Sequence, residues 1–319
     1  MGYGDYDRAA HEALTTSRAA LPTEKIFEST VCPDEMNPMN LGMRESRDSA
    51  LHPDSTGIIF ALDVTGSMGH IPEQMARREL PGFMGLIMDG GYLPDPQLLF
   101  MAFGDVQCDR APLQVGQFES EAHLMDQWLT RTFLERGGGS NRGESYDMGF
   151  YVAARHTAMD CWEKRGRKGY FFMTGDEPHL DRVDPDAVTR LIGERLPGAI
   201  TINAIAEEAA KTFHPFFIIP DLSRRSRVER VWRDVLGDRV ICAETSEDIC
   251  AVSATLIGLT EGTLGDLDAA GDTLTRLGRE RAQVDRVIRA VEPYAASLGR
   301  GGPDRPADPA TVPSRRRRR

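Results

Sequence analysis

The stretch ALDVTGSMGH, residues 61–70, sets an acid and two hydroxyls at alternate positions: Asp63, Thr65 and Ser67. They stand directly behind an apolar run, so their oxygens gather where a buried strand ends. Two chemistries use such a set. Asp, Thr and Ser cap the free amides of a helix start, and the same oxygens can hold a hard cation. Two further segments bear on the choice. GGGSNRGES, residues 137–145, bends closely on its glycines and presents Ser140 and Asn141 ahead of a helix beginning near Glu144. It lacks the Gly-Lys-Ser/Thr ending of a phosphate-binding loop. In FFMTGDEPH, Asp176 ends another strand-like run. Two strand-end carboxylates with three hydroxyls form an all-oxygen set suited to Mg²⁺ or Mn²⁺, whereas zinc would call for His or Cys. Asp105 and Asp109 follow a third apolar run and could orient water and hydroxyls around an ion, or form a solvated acidic loop. Glu144 suits a first-turn helix acid, and His179 lies beside Asp176.

Elements must bring these segments together. GIIFALD (57–63), PQLLFMAFGD (96–105), KGYFFMTGD (168–176), GAITINAIA (198–206) and RVICAE (239–244) are short, apolar and bounded by Gly, Pro or Asp, as buried parallel strands are. Between them, IPEQMARREL, SEAHLMDQWLTRTFL, GESYDMGFYVAARHTAMDCWEK, SRVERVWRDVL and SEDICAVSATLIGL carry helical spacing. Strands alternating with helices predict a doubly wound, mostly parallel α/β sheet covered on both faces, with ligands at the carboxyl ends of its strands. Asp63 is expected on a solvent-facing strand end. Residues 1–55 are polar and proline-broken and predict an arm lying on the domain, with a short helix in RAAHEALTTSRAAL. The α/β unit is expected over 56–262. A helical extension over 263–298 carries one stripe of Leu264, Leu267, Leu274, Leu277, Val284, Ile288 and Val291 that runs to Pro293. The segment 299–319 lacks the apolar residues to offset ordering entropy and is expected to be disordered.

With these segments in order, the chain resembles a von Willebrand factor type A (vWA) domain. That family's metal-ion-dependent adhesion site has a D-x-[ST]-x-S motif after the first strand, a threonine in a glycine-rich loop and an aspartate after the fourth strand. Asp63-Val64-Thr65-Gly66-Ser67 matches the first element in full. Ser140, within Gly139-Ser140-Asn141-Arg142-Gly143, stands where the family has its threonine. The family aspartate usually follows threonine and precedes glycine; here the order is Thr174-Gly175-Asp176. The resemblance covers roughly residues 56–260. It implies a Rossmann-like vWA fold and an ion held by Asp63, Thr65, Ser67, Ser140 and Asp176, with Asp105, Asn141 and Glu144 around it or as alternative ligands. It also implies a protein partner that presents an Asp or Glu to the metal. Intracellular bacterial members commonly act beside AAA+ ATPases, so such an assembly is a candidate partner.

Composition narrows the other classes. The net charge of −11 includes five arginines at Arg315–Arg319; the rest carries 33 basic against 49 acidic residues, a body that repels phosphates and favours cations or basic partners. Nucleic acid is expected only weakly, through the arginine tail. Five cysteines without a CxxC pair argue against a disulfide framework or a zinc knuckle. No basic start leads into an apolar stretch and no segment reaches the length of a membrane helix, so the expectation is a cytoplasmic protein without a membrane span. A binding module is expected rather than an enzyme. The alternative, a Mg²⁺-dependent phosphohydrolase of the haloacid dehalogenase type, needs a second Asp two residues after the first, where Thr65 stands. A serine hydrolase needs G-x-S-x-G, which Gly66-Ser67-Met68-Gly69 is not.

Overall fold

A computed structural model describes residues 6–18, 20–135, 143–220 and 222–299, and only the backbone of residues 67, 78 and 227. Ser140, Asn141 and the Arg315–Arg319 tail lie outside the described residues, as does the side chain of Ser67. In chain order the elements are α1 (Arg8–Arg18), β1 (Arg44–Ser46), β2 (Ser55–Asp63), α2 (Ile71–Gln74), α3 (Leu80–Asp89), β3 (Asp95–Phe103), β4 (Leu113–Val115), α4 (Ala122–Arg131) and α5 (Tyr146–Arg155). They continue with β5 (Thr157–Met159), α6 (Asp160–Glu163), β6 (Gly169–Thr174), β7 (Arg182–Val183), α7 (Pro185–Ile192), β8 (Ile200–Thr201), α8 (Ile202–Ala209) and β9 (Phe213–Ile219). The last are α9 (Leu222–Leu236), β10 (Val240–Cys242), α10 (Ile249–Thr260), α11 (Leu267–Arg276) and α12 (Arg281–Gly299).

The main sheet has the order β10-β9-β6-β2-β3-β4. All its pairings are parallel except that of the short edge strand β4, which runs antiparallel to β3. The order reverses between β2 and β6, the switch point at which an open α/β sheet leaves a crevice outside its carboxyl edge. Both faces are covered, and β2 shows how. Ile58, Phe60 and Leu62 join one core with α3, α10 and α12, while Ile59 and Ala61 join a second with α5, α8 and α9. Because side chains alternate across a strand, an unbroken apolar run is what a doubly covered strand requires. The Phe60 ring meets Phe83 of α3 at 5.5 Å and Phe172 of β6 at 5.9 Å, locking helix, central strand and neighbour together.

Several elements differ from the sequence expectation. GAITINAIA is not a strand of the main sheet: only Ile200–Thr201 pair, antiparallel to β7, and Thr201 then caps α8, its hydroxyl accepting from the Ala204 amide at 3.3 Å. The fifth parallel strand is instead FHPFFII, β9, which accommodates Pro215 opposite Phe171. The long helix expected over 143–164 stops at His156, where β5 leaves to pair with β1 of the N-terminal arm. The arm also contributes Ile26 and Phe27 to the core. α12 runs through Pro293 to Gly299. In the extension, Leu264, Leu274, Val284 and Val291 are buried in the first core, and Tyr294 meets Phe216 at 5.0 Å.

Candidate metal centre

The parallel register carries three loop starts to one sheet edge. β2 ends at Asp63, paired with Phe103 of β3, while Leu62 pairs with Thr174, the last residue of β6. Asp63 does not face solvent as expected. Its carboxylate is fully buried, because the loops after β3 and β6 and the start of α5 close over the end of β2. Among the described residues, three donors hold it. Oδ1 accepts from the Thr65 amide at 2.9 Å and the Thr65 hydroxyl at 2.6 Å, and Oδ2 accepts from the Tyr146 hydroxyl at 2.9 Å. Burial pushes the Asp63 carboxyl up to about 6, although these hydrogen bonds oppose the shift. Thr65 precedes the short 3₁₀ turn Gly66–Met68 on which Ser67 lies, but its side chain makes no capping bond to that turn. The hydroxyl is directed to the acid, which argues against a purely capping role. Beside Thr65 opens a cavity of about 270 Å³ between Val64, Gly66, Gly69, Pro72, Glu73 and Leu134.

The loop after β3 brings Asp105 and Asp109 to the same edge. Asp105 is buried, its Oδ1 accepts from the Gln107 amide at 2.7 Å, and its own amide donates to Asp109 Oδ2 at 2.7 Å. Burial raises the Asp109 carboxyl, with Glu135 and Asp105 adding to the effect. The 143–146 segment is pinned between two loops. The Glu144 amide donates to Pro178 O at 3.1 Å, the Ser145 amide to Gly104 O at 3.2 Å, and Ser145 Oγ accepts from the Val106 amide at 2.8 Å. A Cβ at Gly143 would lie 2.7 Å from Pro178 O, so only glycine permits that approach. Glu144 is 9% exposed, and its carboxyl is pushed up to about 8 by burial and then by the charges of Asp63, Asp105, Asp109 and Glu177.

Asp176 is buried at the same edge, and an Arg224 guanidinium from α9 is ion-paired with it. His179 packs edge-on against Trp232 with ring centroids 5.1 Å apart, and its Nδ1 lies 3.0 Å from Leu180 O. The structure thus gathers Asp63, Thr65, Asp105, Glu144 and Asp176 at one edge. It also adds residues that sequence reasoning did not single out. Tyr146 is fully buried among Phe103, Phe217 and Trp232, at centroid distances of 4.7, 5.3 and 5.2 Å, with its hydroxyl on Asp63. Glu177 follows it, its amide 3.4 Å from the Tyr146 hydroxyl and its charge raising both Asp63 and Glu144. The one local signal for Tyr146 was a polar-tipped ring in an otherwise apolar helix face.

Among the described residues, no three His, Cys, Asp or Glu side chains converge into a ready-made ligand cage. The donor chemistry nevertheless fits a hard cation: oxygen atoms only, and buried carboxylates whose mutual repulsion a divalent ion would relieve.

No family model matches the sequence, and no curated protein matches it. Among solved structures, the chain is similar to the pilus adhesin SpaC of Lactobacillus rhamnosus GG, at 11% identity over 72% of this chain and 32% of that one, with a TM-score of 0.43. It is also similar to proximal thread matrix protein 1 of the mussel byssus with a zinc-occupied MIDAS motif, at 10% identity over 64% of this chain and 48% of that one, TM-score 0.40. A von Willebrand factor type A protein from Catenulispora acidiphila matches at 12% identity over 72% of this chain and 51% of that one, TM-score 0.39. The chain therefore spans about a third to a half of the length of these proteins. The chemistry of the centre rests on its own side chains.

Proposed function

We propose that this chain is a vWA-type, metal-dependent protein interaction module. The observation that carries the reading is Asp63, a buried carboxylate held by Thr65 and Tyr146 at the switch point of the sheet, with further carboxylates pressing on one another around it. A divalent cation would neutralise that charge in a setting of low dielectric, where neutralisation is worth most. Asp63 and Thr65 are the proposed described ligands, completed by the hydroxyls of Ser67 and Ser140, with Asn141 nearby. Asp176, engaged by Arg224, and Asp105, turned onto its own loop, are proposed to act through water. The proposed ion is Mg²⁺ or Mn²⁺, because the donors are all oxygen.

When bound, such an ion supplies an electrophilic site for a carboxylate from outside. The proposed partner presents an Asp or Glu there, and the cavity beside Thr65 gives its neighbouring side chain room. Binding, not catalysis, is the role proposed, since Thr65 stands where a haloacid-dehalogenase-type phosphohydrolase needs its second Asp and Gly66-Ser67-Met68-Gly69 is not G-x-S-x-G. The proposed setting is cytoplasmic, beside an AAA+ ATPase assembly. The cysteines fit a reducing compartment, being free thiols. No helix among the described residues is long and apolar enough to cross a membrane.

The test is calorimetric titration of Mg²⁺ and Mn²⁺ into the chain and its Asp63→Ala variant, followed by partner capture with and without EDTA. Saturable binding that the variant lacks, and a partner released by EDTA, are expected. Unchanged ion binding in the variant would remove Asp63 from the centre, and capture indifferent to EDTA would end the metal-bridge reading.

A further inference from the structure

We infer that Glu144 is a direct ligand of the proposed ion and that Asp176 is not, because Arg224 already serves Asp176 as its cation. This rests on the metal-dependent reading above and assigns its acidic ligand.

Three observations carry it. First, the position after Thr174 has no room for an acid. A Cβ at Gly175 would overlap the hydroxyl of Tyr146, which occupies that space to reach Asp63. The acid of this strand end therefore falls one residue later, at Asp176, and there the Arg224 guanidinium meets it in a contact that leaves Asp176 only 4% exposed. To serve as a ligand, Asp176, itself buried, would have to give up its pairing with the partly exposed Arg224 and leave its own charge uncompensated.

Second, Glu144 has an oxygen to spare. Its Oε2 is buried without a hydrogen-bond partner, in a residue nine-tenths removed from solvent. A buried carboxylate oxygen left in that state is costly unless something of opposite charge completes it. Among the described residues, the charges that act on it most are those of Asp63, Asp105, Asp109 and Glu177, all acids. A cation from outside the chain would complete it.

Third, Glu144 is held in place before any ion arrives. Its backbone is bonded to the loop after β6 through Pro178 O, and the adjacent Ser145 is bonded through both its amide and its hydroxyl to the loop after β3. A ligand fixed by two neighbouring loops requires little reorganisation on binding, which favours affinity.

A merely structural Glu144 and a ligand Glu144 respond oppositely to Glu144→Gln. The amide keeps the shape and removes the charge. If Glu144 is a ligand, the variant binds Mn²⁺ at least tenfold more weakly in calorimetry, yet melts at a higher temperature than the parent in EDTA at pH 8, because a buried, unbalanced charge is gone. Glu144→Asp, which keeps the charge on a shorter arm, should recover part of the affinity. Asp176→Asn should stay within about threefold of the parent. Asp63→Asn serves as the control for the centre itself. Affinity of Glu144→Gln within threefold of the parent, alongside loss of binding in Asp63→Asn, would overturn this inference and leave the metal centre standing. So would a tenfold loss in Asp176→Asn, or a Glu144→Gln chain that melts lower in EDTA. Saturable binding absent from the parent, or unchanged in Asp63→Asn, would take the underlying reading down with it.

Discussion

Replacing Tyr146 by Phe removes one hydroxyl and little else. The ring sits edge-on against Phe103, Phe217 and Trp232, contacts that phenylalanine preserves, so no cavity opens. What is lost is the 2.9 Å bond from the hydroxyl to Asp63 Oδ2, together with a weak 3.4 Å acceptor for the Glu177 amide. The value of the first bond depends on the charge of its acceptor. A bond to a neutral group contributes about 0.5–1.5 kcal/mol and one to a charged group about 1.5–3 kcal/mol. With the Asp63 carboxyl at about 6, the acceptor is mostly neutral at pH 5 and ionised at pH 8. In EDTA, Tyr146→Phe should therefore cost about 1 kcal/mol at pH 5 and about 2 kcal/mol at pH 8. Linkage gives the same sign. Burial raises the folded carboxyl above its unfolded value, so its contribution is fully present below about pH 4 and is lost as pH rises through about 6. Tyr146 opposes that rise; without it the folded value goes higher and the loss continues to higher pH. Urea melts at both pH values measure the difference, and Mn²⁺ calorimetry should show roughly tenfold weaker binding, as when a group that orients a ligand is removed. Equal costs at pH 5 and pH 8, or a cost that shrinks with pH, would refute the reasoning.

Four other outcomes follow from the same geometry. Gly175→Ala drives a methyl into the Tyr146 hydroxyl and should destabilise the chain by about 1–3 kcal/mol, read from urea melts, while weakening ion binding. Removing divalent ions should matter more as pH rises: Glu144, pushed up to about 8 by burial and its acidic neighbours, stabilises the metal-free chain below the usual carboxylate range and loses that contribution through pH 8, so the melting difference between Mg²⁺ and EDTA should widen from pH 5 to pH 8. Arg224→Ala removes the partly exposed cation paired with the buried Asp176 and should cost about 1–3 kcal/mol in EDTA, by urea melts, whereas Asp176→Asn in the same background should recover part of it. Once a partner is in hand, changing its bridging Asp or Glu to Asn or Gln should abolish capture, since a neutral amide is a poorer ligand for a hard cation.

Much of the architecture was legible along the chain because burial on both faces writes itself as short unbroken apolar runs. GIIFALD, PQLLFMAF and KGYFFMT all lie in parallel strands that carry acids at or just beyond their ends. FHPFFII escaped notice because Pro215 and His214 interrupt its apolar run, and GAITINAIA misled because a short β-branched segment fits either period until a cap such as Thr201 decides it. The oxygen types at the motif loop were equally local, and so was their suitability for a hard cation.

What no local pattern could reveal is which side chains meet across the fold. Tyr146 reaches Asp63 over 83 residues of chain, and the Arg224–Asp176 pair joins a helix to the far end of a strand six elements earlier. The burial of Asp63 depends on loops after other strands closing over it, and the spare oxygen of Glu144 exists only because 143–145 is clamped between two of those loops. Residue type sets the chemistry an oxygen can perform. Packing alone sets how much water, charge and hydrogen bonding surround it, and so whether it stays satisfied or stands ready for an ion.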